Sequence, residues 1–181
     1  MEHLSQTLGG VIGTLPSVYL GMPLGAKFGA IDIWNPIVEK YEKTLARWRS
    51  QYLYLGGRLT LIKSVLDALP TYMLSIFHIP QSVVQGLDKI RKNFLWQGNK
   101  ERKGFHLVKW KNIIISKMQG GLGINNLKNH RKALKVKWLW RYHQEDQALW
   151  YRVINHKYED LNKRVTKEVN TPYGISLSKS I

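Results

Sequence analysis

The chain has 181 residues, 44% of them hydrophobic, enough for one domain with a sizeable core. It holds no cysteine, which excludes disulfides and thiolate metal sites, and it shows neither the long apolar run of a membrane span nor the basic-then-apolar opening of a secretory leader. Lys and Arg number 28 against 12 Asp and Glu, a net charge of +16, and the expectation is an intracellular protein, nuclear or cytoplasmic and not secreted, whose partner carries negative charge.

Three stretches differ in character: residues 1–30, then 31–158, then a polar, aperiodic tail over 159–181 read as loosely held. The first is rich in glycine and poor in charge. Met1–Leu8 suits a short helix, while Val11–Pro16 and Val18–Leu20 read as short strands or an extended hairpin closed by Gly21, Pro23 and Gly25. From Asp32 to Ser50 the spacing predicts an amphipathic helix with Trp34, Ile37, Val38, Tyr41, Leu45 and Trp48 on one face. Asp32 suits its N-cap or its first turn, and Glu39 and Lys43 form an i, i+4 pair in the favourable order.

Gly56 and Gly57 interrupt the chain before a second stripe, Leu59, Ile62, Leu66 and Leu69, widened by Leu61 and Val65. Pro70 stops or kinks that helix, and Tyr72–Ile79 is apolar almost throughout, so the pair reads as a buried spine. Arg58 stands in the first turn, where free N–H groups already favour an anion. Two partners fit it: a phosphate, or a carboxylate such as Glu42 or Asp67.

After Pro80 a helix over Gln81 to Trp96 puts Val83, Val84, Leu87, Ile90, Phe94 and Leu95 inside, with Lys89, Arg91 and Lys92 outside. Gln97–Gly104 is a polar loop, Phe105–Val108 a short extended piece, and Asn112–Lys117 a brief segment beyond Trp110. Gly120, Gly121 and Gly123 lack the third glycine of a dinucleotide loop, since Asn126 stands there, and read instead as a tight turn into the next helix with Asn125 or Asn126 as cap. That helix runs from Leu127 to about His143 around Leu127, Leu134 and Trp138. A last one, Gln147–Tyr158, buries Leu149, Trp150, Val153 and Ile154. The fold class is therefore mainly α, with a small N-terminal β or extended piece.

The charge is unevenly placed. Between Lys89 and Arg141 fifteen basic residues face one acid, Glu101, so this segment carries +14 of the whole. Such a field repels itself, and a polyanion relieves it most simply; a solvated basic face and an anionic membrane surface stand as alternatives. Catalytic chemistry has no such support. Glu145–Asp146 and Glu159–Asp160 sit in polar contexts unsuited to metal ligation, and the six histidines show no ligand or triad spacing. No catalytic residue, metal site or small-molecule substrate is assigned.

Several blocks in order carry a resemblance: LPSVYLGMPLG (Leu15–Gly25), GGRLTLIKSVL with LPTYMLSIFHIP (Gly56–Pro80), NFLW (Asn93–Trp96), KGFHLVKW (Lys103–Trp110), GGLGINNL (Gly120–Leu127), KWLWR (Lys137–Arg141) and LWYRVINHKY (Leu149–Tyr158). Together they span roughly residues 1–160 and look like the region just beyond the palm of plant LINE-type (non-LTR) retrotransposon reverse transcriptases. The likeness lapses at Ile114 and Ser116, where the family pattern has a cysteine and a proline.

The resemblance implies a helical thumb-like bundle, the thumb and connection of an RNA-directed DNA polymerase whose catalytic palm would lie upstream of Met1. It matches Tyr19, Leu20 and Gly21 to the primer grip; covering the spine is the other reading of Tyr19 and Leu20. Reverse transcription needs converging carboxylates on magnesium ions, and this chain has no Asp–Asp pair on a strand turn, so no cofactor is expected unless a separate palm supplies the Mg2+ site. The implied partner is RNA or an RNA–DNA hybrid, held through phosphate contacts by Arg58, Lys89, Arg91, Lys92, Lys128, Lys132 and Lys135. Trp96 and Trp110 suit base stacking or, more simply, the core. A truncated product without a role, and a protein-interaction module, are the alternatives.

Overall fold

The computed structural model describes residues 7, 9, 13–15, 17–27, 29–49, 53–97 and 106–158. The expected Met1–Leu8 helix apart from Thr7, half of the Val11–Pro16 strand, the Gln97–Gly104 loop beyond Gln97, Phe105, and the 159–181 tail lie outside the described residues; the described half of that strand, residues 13–15, is not β structure. Within them the chain is mainly helical, as its periodicity implied, with one small antiparallel sheet.

That sheet is a hairpin of β1 (Ser17–Tyr19) and β2 (Met22–Leu24), paired Ser17 to Leu24, Val18 to Pro23 and Tyr19 to Met22. Its two-residue turn, Leu20–Gly21, has φ of 49° and 77°, the doubly positive pattern whose twist matches that of the flanking strands.

A 3-10 turn over Asp32–Trp34 leads into α1 (Asn35–Arg49), so Asp32 is a first-turn carboxylate and Ile31 holds the cap position. Trp34, Ile37, Tyr41 and Leu45 are buried with Val38 and Trp48 packed beside them, and Glu39 pairs with Lys43 at 3.7 Å.

The expected long second helix is divided. Here α2 (Leu55–Leu61) passes into a π turn, Ile62–Leu66, and α3 (Thr71–Ile76) follows Pro70. Asp67 N–H donates to Ile62 O at 2.9 Å, five residues back, so the disruption begins a turn before the proline. Pro70 has no N–H to give the carbonyl of Leu66, four residues earlier, and that carbonyl instead accepts from the Tyr41 hydroxyl at 2.5 Å. The bond fastens α1 to the spine, and burial of Tyr41 pushes its hydroxyl pKa up.

Burial of the spine is also narrower than the apolar run implied. Ile62, Leu66, Met73 and Leu74 are buried, but α2 buries no residue completely, and Tyr72 and Ile76 on α3 are exposed.

Next, α4 (Gln81–Gln97) buries Val83, Val84, Leu87, Phe94 and Leu95. A short α5 (Trp110–Ile113) and a 3-10 turn (Lys117–Gln119) precede α6 (Leu127–Gln144) and α7 (Leu149–Tyr158). One cluster of buried apolar side chains joins α1, the spine, α4, α5, Ile124 and the start of α6. The last helix departs from its expected face: Tyr151 is buried, while Leu149 and Val153 are exposed.

Gly86, exposed in the interior of α4, has nothing within 4 Å of the position a Cβ would take. Gly86→Ala is therefore expected to stabilise the chain by about 0.5–1 kcal/mol, through lower unfolded-state entropy alone. Denaturant unfolding measures it, and a loss of stability would mean that the added methyl meets a neighbour in the folded helix.

Candidate nucleic-acid interface

The basic segment acquires its geometry from α6. Asn126 caps the helix, its Oδ1 accepting from Lys128 N at 3.0 Å and Asn129 N at 3.3 Å. From there to Gln144 the helix carries Lys128, Arg131, Lys132, Lys135, Lys137 and Arg141 and no acid. Cations in a first turn oppose the helix dipole, so the N-terminal half of α6 adds its own positive end to that of its side chains.

Packing against α3 gathers part of this charge. Arg131 Nε donates to Phe77 O, the residue that ends α3, at 3.3 Å. His78, next in the chain, has its pKa held down by burial and then by the charges of Arg131, Lys135 and Lys128. Lys135 is only 7% exposed, and desolvation with Arg131 beside it pushes its ammonium down to about 8. A second pair of cations adjoins the glycine turn. A Cβ on Gly123 would stand 3.5 Å from Lys63 Nζ and 3.3 Å from Lys117 Cγ, and the pKa of Lys63 is lowered by burial and then by Lys117.

The seven phosphate candidates divide. Lys89 on α4 and Lys128 and Lys132 on α6 are exposed, Lys92 is half-buried, and Lys135 faces inward beside Arg131.

Arg58 turns to backbone carbonyls, and neither Glu42 nor Asp67 pairs with it. Its Nε donates to Leu53 O and its Nη1 to Leu95 O, both at 3.0 Å. Leu95 lies in the last turn of α4, whose carbonyls lack partners within the helix and favour a cation, so Arg58 ties α2 to the end of α4.

Arg91 was expected outside and is wholly buried. Its Nη1 donates to Asp67 Oδ1 at 2.6 Å and to Asn125 O at 3.0 Å, its Nη2 to Asp88, and its guanidinium lies 5.6 Å from the Trp110 ring centroid. A cation so enclosed is not available to a phosphate, and it leaves the candidate set.

Tyr19 and Leu20 are 61% and 76% exposed at the hairpin tip, so they do not cover the spine. Leu20 is the one non-glycine among the described residues with positive φ, a conformation that costs an L-residue about 1–2 kcal/mol. Trp96 and Trp110 pack against the core, the simpler of their two readings. Arg141 closes the α6–α7 corner through two bonds to Glu145, at 2.8 and 2.9 Å, beside the rings of Trp138 and Trp150.

Arg131 and His78 enlarge the site beyond the residues chosen from sequence. Arg131 was within reach of sequence reasoning, three residues after Lys128 and four before Lys135 on one helix. His78 and the Lys63–Lys117 pair join through packing, which leaves no local signal. Among the described residues no group of three or more carboxylates and histidines is placed to hold a metal, and no helix is long and apolar enough to cross a membrane.

Fold and site together define a mainly helical chain whose candidate interface is a cationic helix seated on the spine. Over 137 residues, 76% of its length, the chain is 38% identical to a protein of Arabidopsis thaliana that bears the provisional name ribonuclease H protein. It spans 22% of that relative's length. No family model and no solved structure gives a significant match.

Proposed function

We propose that this chain is a retroelement-derived, nucleic-acid-handling segment, and more narrowly the helical thumb and connection that follows the palm of a plant LINE-type reverse transcriptase. It grips RNA or an RNA–DNA hybrid through its phosphates, independently of sequence, while primer extension requires a separately supplied palm and its magnesium. The observation that carries this reading is α6, six cations without an acid, three of them set around His78. The ordered motifs from Leu15 to Tyr158 support the narrower identity. The Arabidopsis relative, whose name denotes an enzyme acting on nucleic acid, supports the broader one.

With Arg58 and Arg91 occupied inside the fold and Lys135 turned inward, Lys89, Lys92, Lys128 and Lys132 remain for phosphate contact. Their engagement predicts that log K for an RNA–DNA hybrid falls against log salt with a slope of roughly −4, from counterion release. Filter binding across a salt series measures it, and a slope near zero overturns the reading. The rival, a protein-interaction module, draws on the exposed Leu149 and Val153 and predicts no saturable binding.

A further inference from the structure

The outer face of α6 carries a feature that phosphate contact alone does not use. Trp140 is 64% exposed and Val136, one turn before it, 62%. Large apolar side chains held in water on a helix full of cations call for a partner both anionic and flat-faced.

Helix geometry places the rest. At about 100° per residue, Asn129, Ala133 and Val136 fall close to the line of Trp140, while Lys132 and Lys137 fall on opposite flanks of that line. All of these residues are exposed. The result is a low track of small and medium side chains, edged by a lysine on each side and closed by an indole. From Lys132 to Trp140 it runs about 12 Å, which accommodates three to four nucleotides stacked at ~3.4 Å. A duplex offers such a surface its phosphates but keeps its bases stacked inside; a single strand offers both.

We infer that the Lys132–Lys137–Trp140 face of α6 binds unpaired nucleic acid, with Trp140 stacking on a base and the two lysines holding the phosphates beside it. The inference rests on the reading above and sharpens it: the strand on this face is single, not hybrid. Stacking is blind to base identity, so the face prefers no sequence, and its two components separate experimentally. The lysines set the salt dependence and the indole sets a base-dependent, salt-independent part of the affinity.

The test titrates the full chain with fluorescent oligouridine, with an abasic strand of equal length and with an RNA–DNA hybrid, across a salt series. Trp140→Ala is expected to weaken oligouridine binding by about 5- to 150-fold with its salt slope unchanged, and to leave the abasic strand unaffected. Trp140→Phe, which keeps a ring, retains most of the affinity, and Lys132→Ala with Lys137→Ala lowers the slope by about 1.4, at ~0.7 per single-strand phosphate. Circular dichroism of each variant checks that the helix is intact. If Trp140→Ala binds oligouridine within about twofold of wild type while hybrid binding stays salt-dependent, the stacking face is overturned and the thumb reading stands. If no nucleic acid binds saturably, both fall together.

Discussion

Replacing Arg91 with alanine is expected to lower the free energy of unfolding by about 3–5 kcal/mol, a large part of the roughly 5–15 kcal/mol that a domain of ordinary stability has. The side chain is at 0% exposure and joins three parts of the chain: Asp67 at the end of the π turn, Asp88 one turn back on α4, and the carbonyl of Asn125 beside the cap of α6. Asp67 is as deeply buried, and its other oxygen accepts from Asn125 N at 2.9 Å. Burial pushes the Asp67 carboxyl pKa up, and the Asn125 N–H and the Arg91 charge oppose that.

Without Arg91 that opposition weakens, the folded-state pKa rises further above its unfolded value, and between the two values the folded form binds a proton that the unfolded form does not. Stability then falls as pH rises through and above the ordinary carboxylate range, so the loss is larger at neutral pH than in acid. Urea unfolding at two pH values measures both size and sign. Pairing Arg91→Met with Asp67→Leu should restore much of the loss, because an apolar replacement leaves no buried charge alone. A single-variant loss below about 1 kcal/mol would mean that the network holds little.

Gly121→Ala is expected to cost about 3 kcal/mol, the upper end of what overpacking does. A Cβ there would stand 2.2 Å from Ile115 O, 2.6 Å from Ile115 C and 3.1 Å from Asn112 O, all backbone atoms that cannot rotate away. The same carbonyl of Ile115 accepts from Gly123 N at 3.0 Å, and Gly121 N donates to Ser116 O at 3.0 Å, so a shift at this point loosens the turn that presents Asn125 to Asp67. Gly120 supplies the control. Its φ of 82° strains an alanine by about 1–2 kcal/mol, but nothing lies within 4 Å of its Cβ position. Thermal or denaturant unfolding of both variants should rank Gly121→Ala as the more damaging; equal effects would mean that conformation, not close approach, governs the turn.

That turn was legible from the sequence. Three glycines with Asn126 in the place of the fingerprint's last glycine pointed to a turn and a capped helix, and both are present. The face of α1 was equally legible, because Trp34, Ile37, Tyr41 and Leu45 repeat at helical spacing and all four are buried. So was the basic character of α6, which depends only on which residues follow one another.

Position in the chain said less about Arg91. Its flanking lysines made it one more outward cation, yet the carboxylate that draws it inward is Asp67, 24 residues away, brought into reach by a π turn that no local pattern announced. Arg58 faces carbonyls for the same reason: the end of α4 is 37 residues further on. Leu149 and Val153 looked as apolar as Tyr151 and lie outside it, because one helix can turn only one face to its neighbour. Periodicity, capping residues and charge order act over a few bonds and were determined by the sequence alone. Which cations are consumed in holding the fold, and which are left with Trp140 on the open side of α6, depends on pairings between distant residues, and only the packed chain decided it.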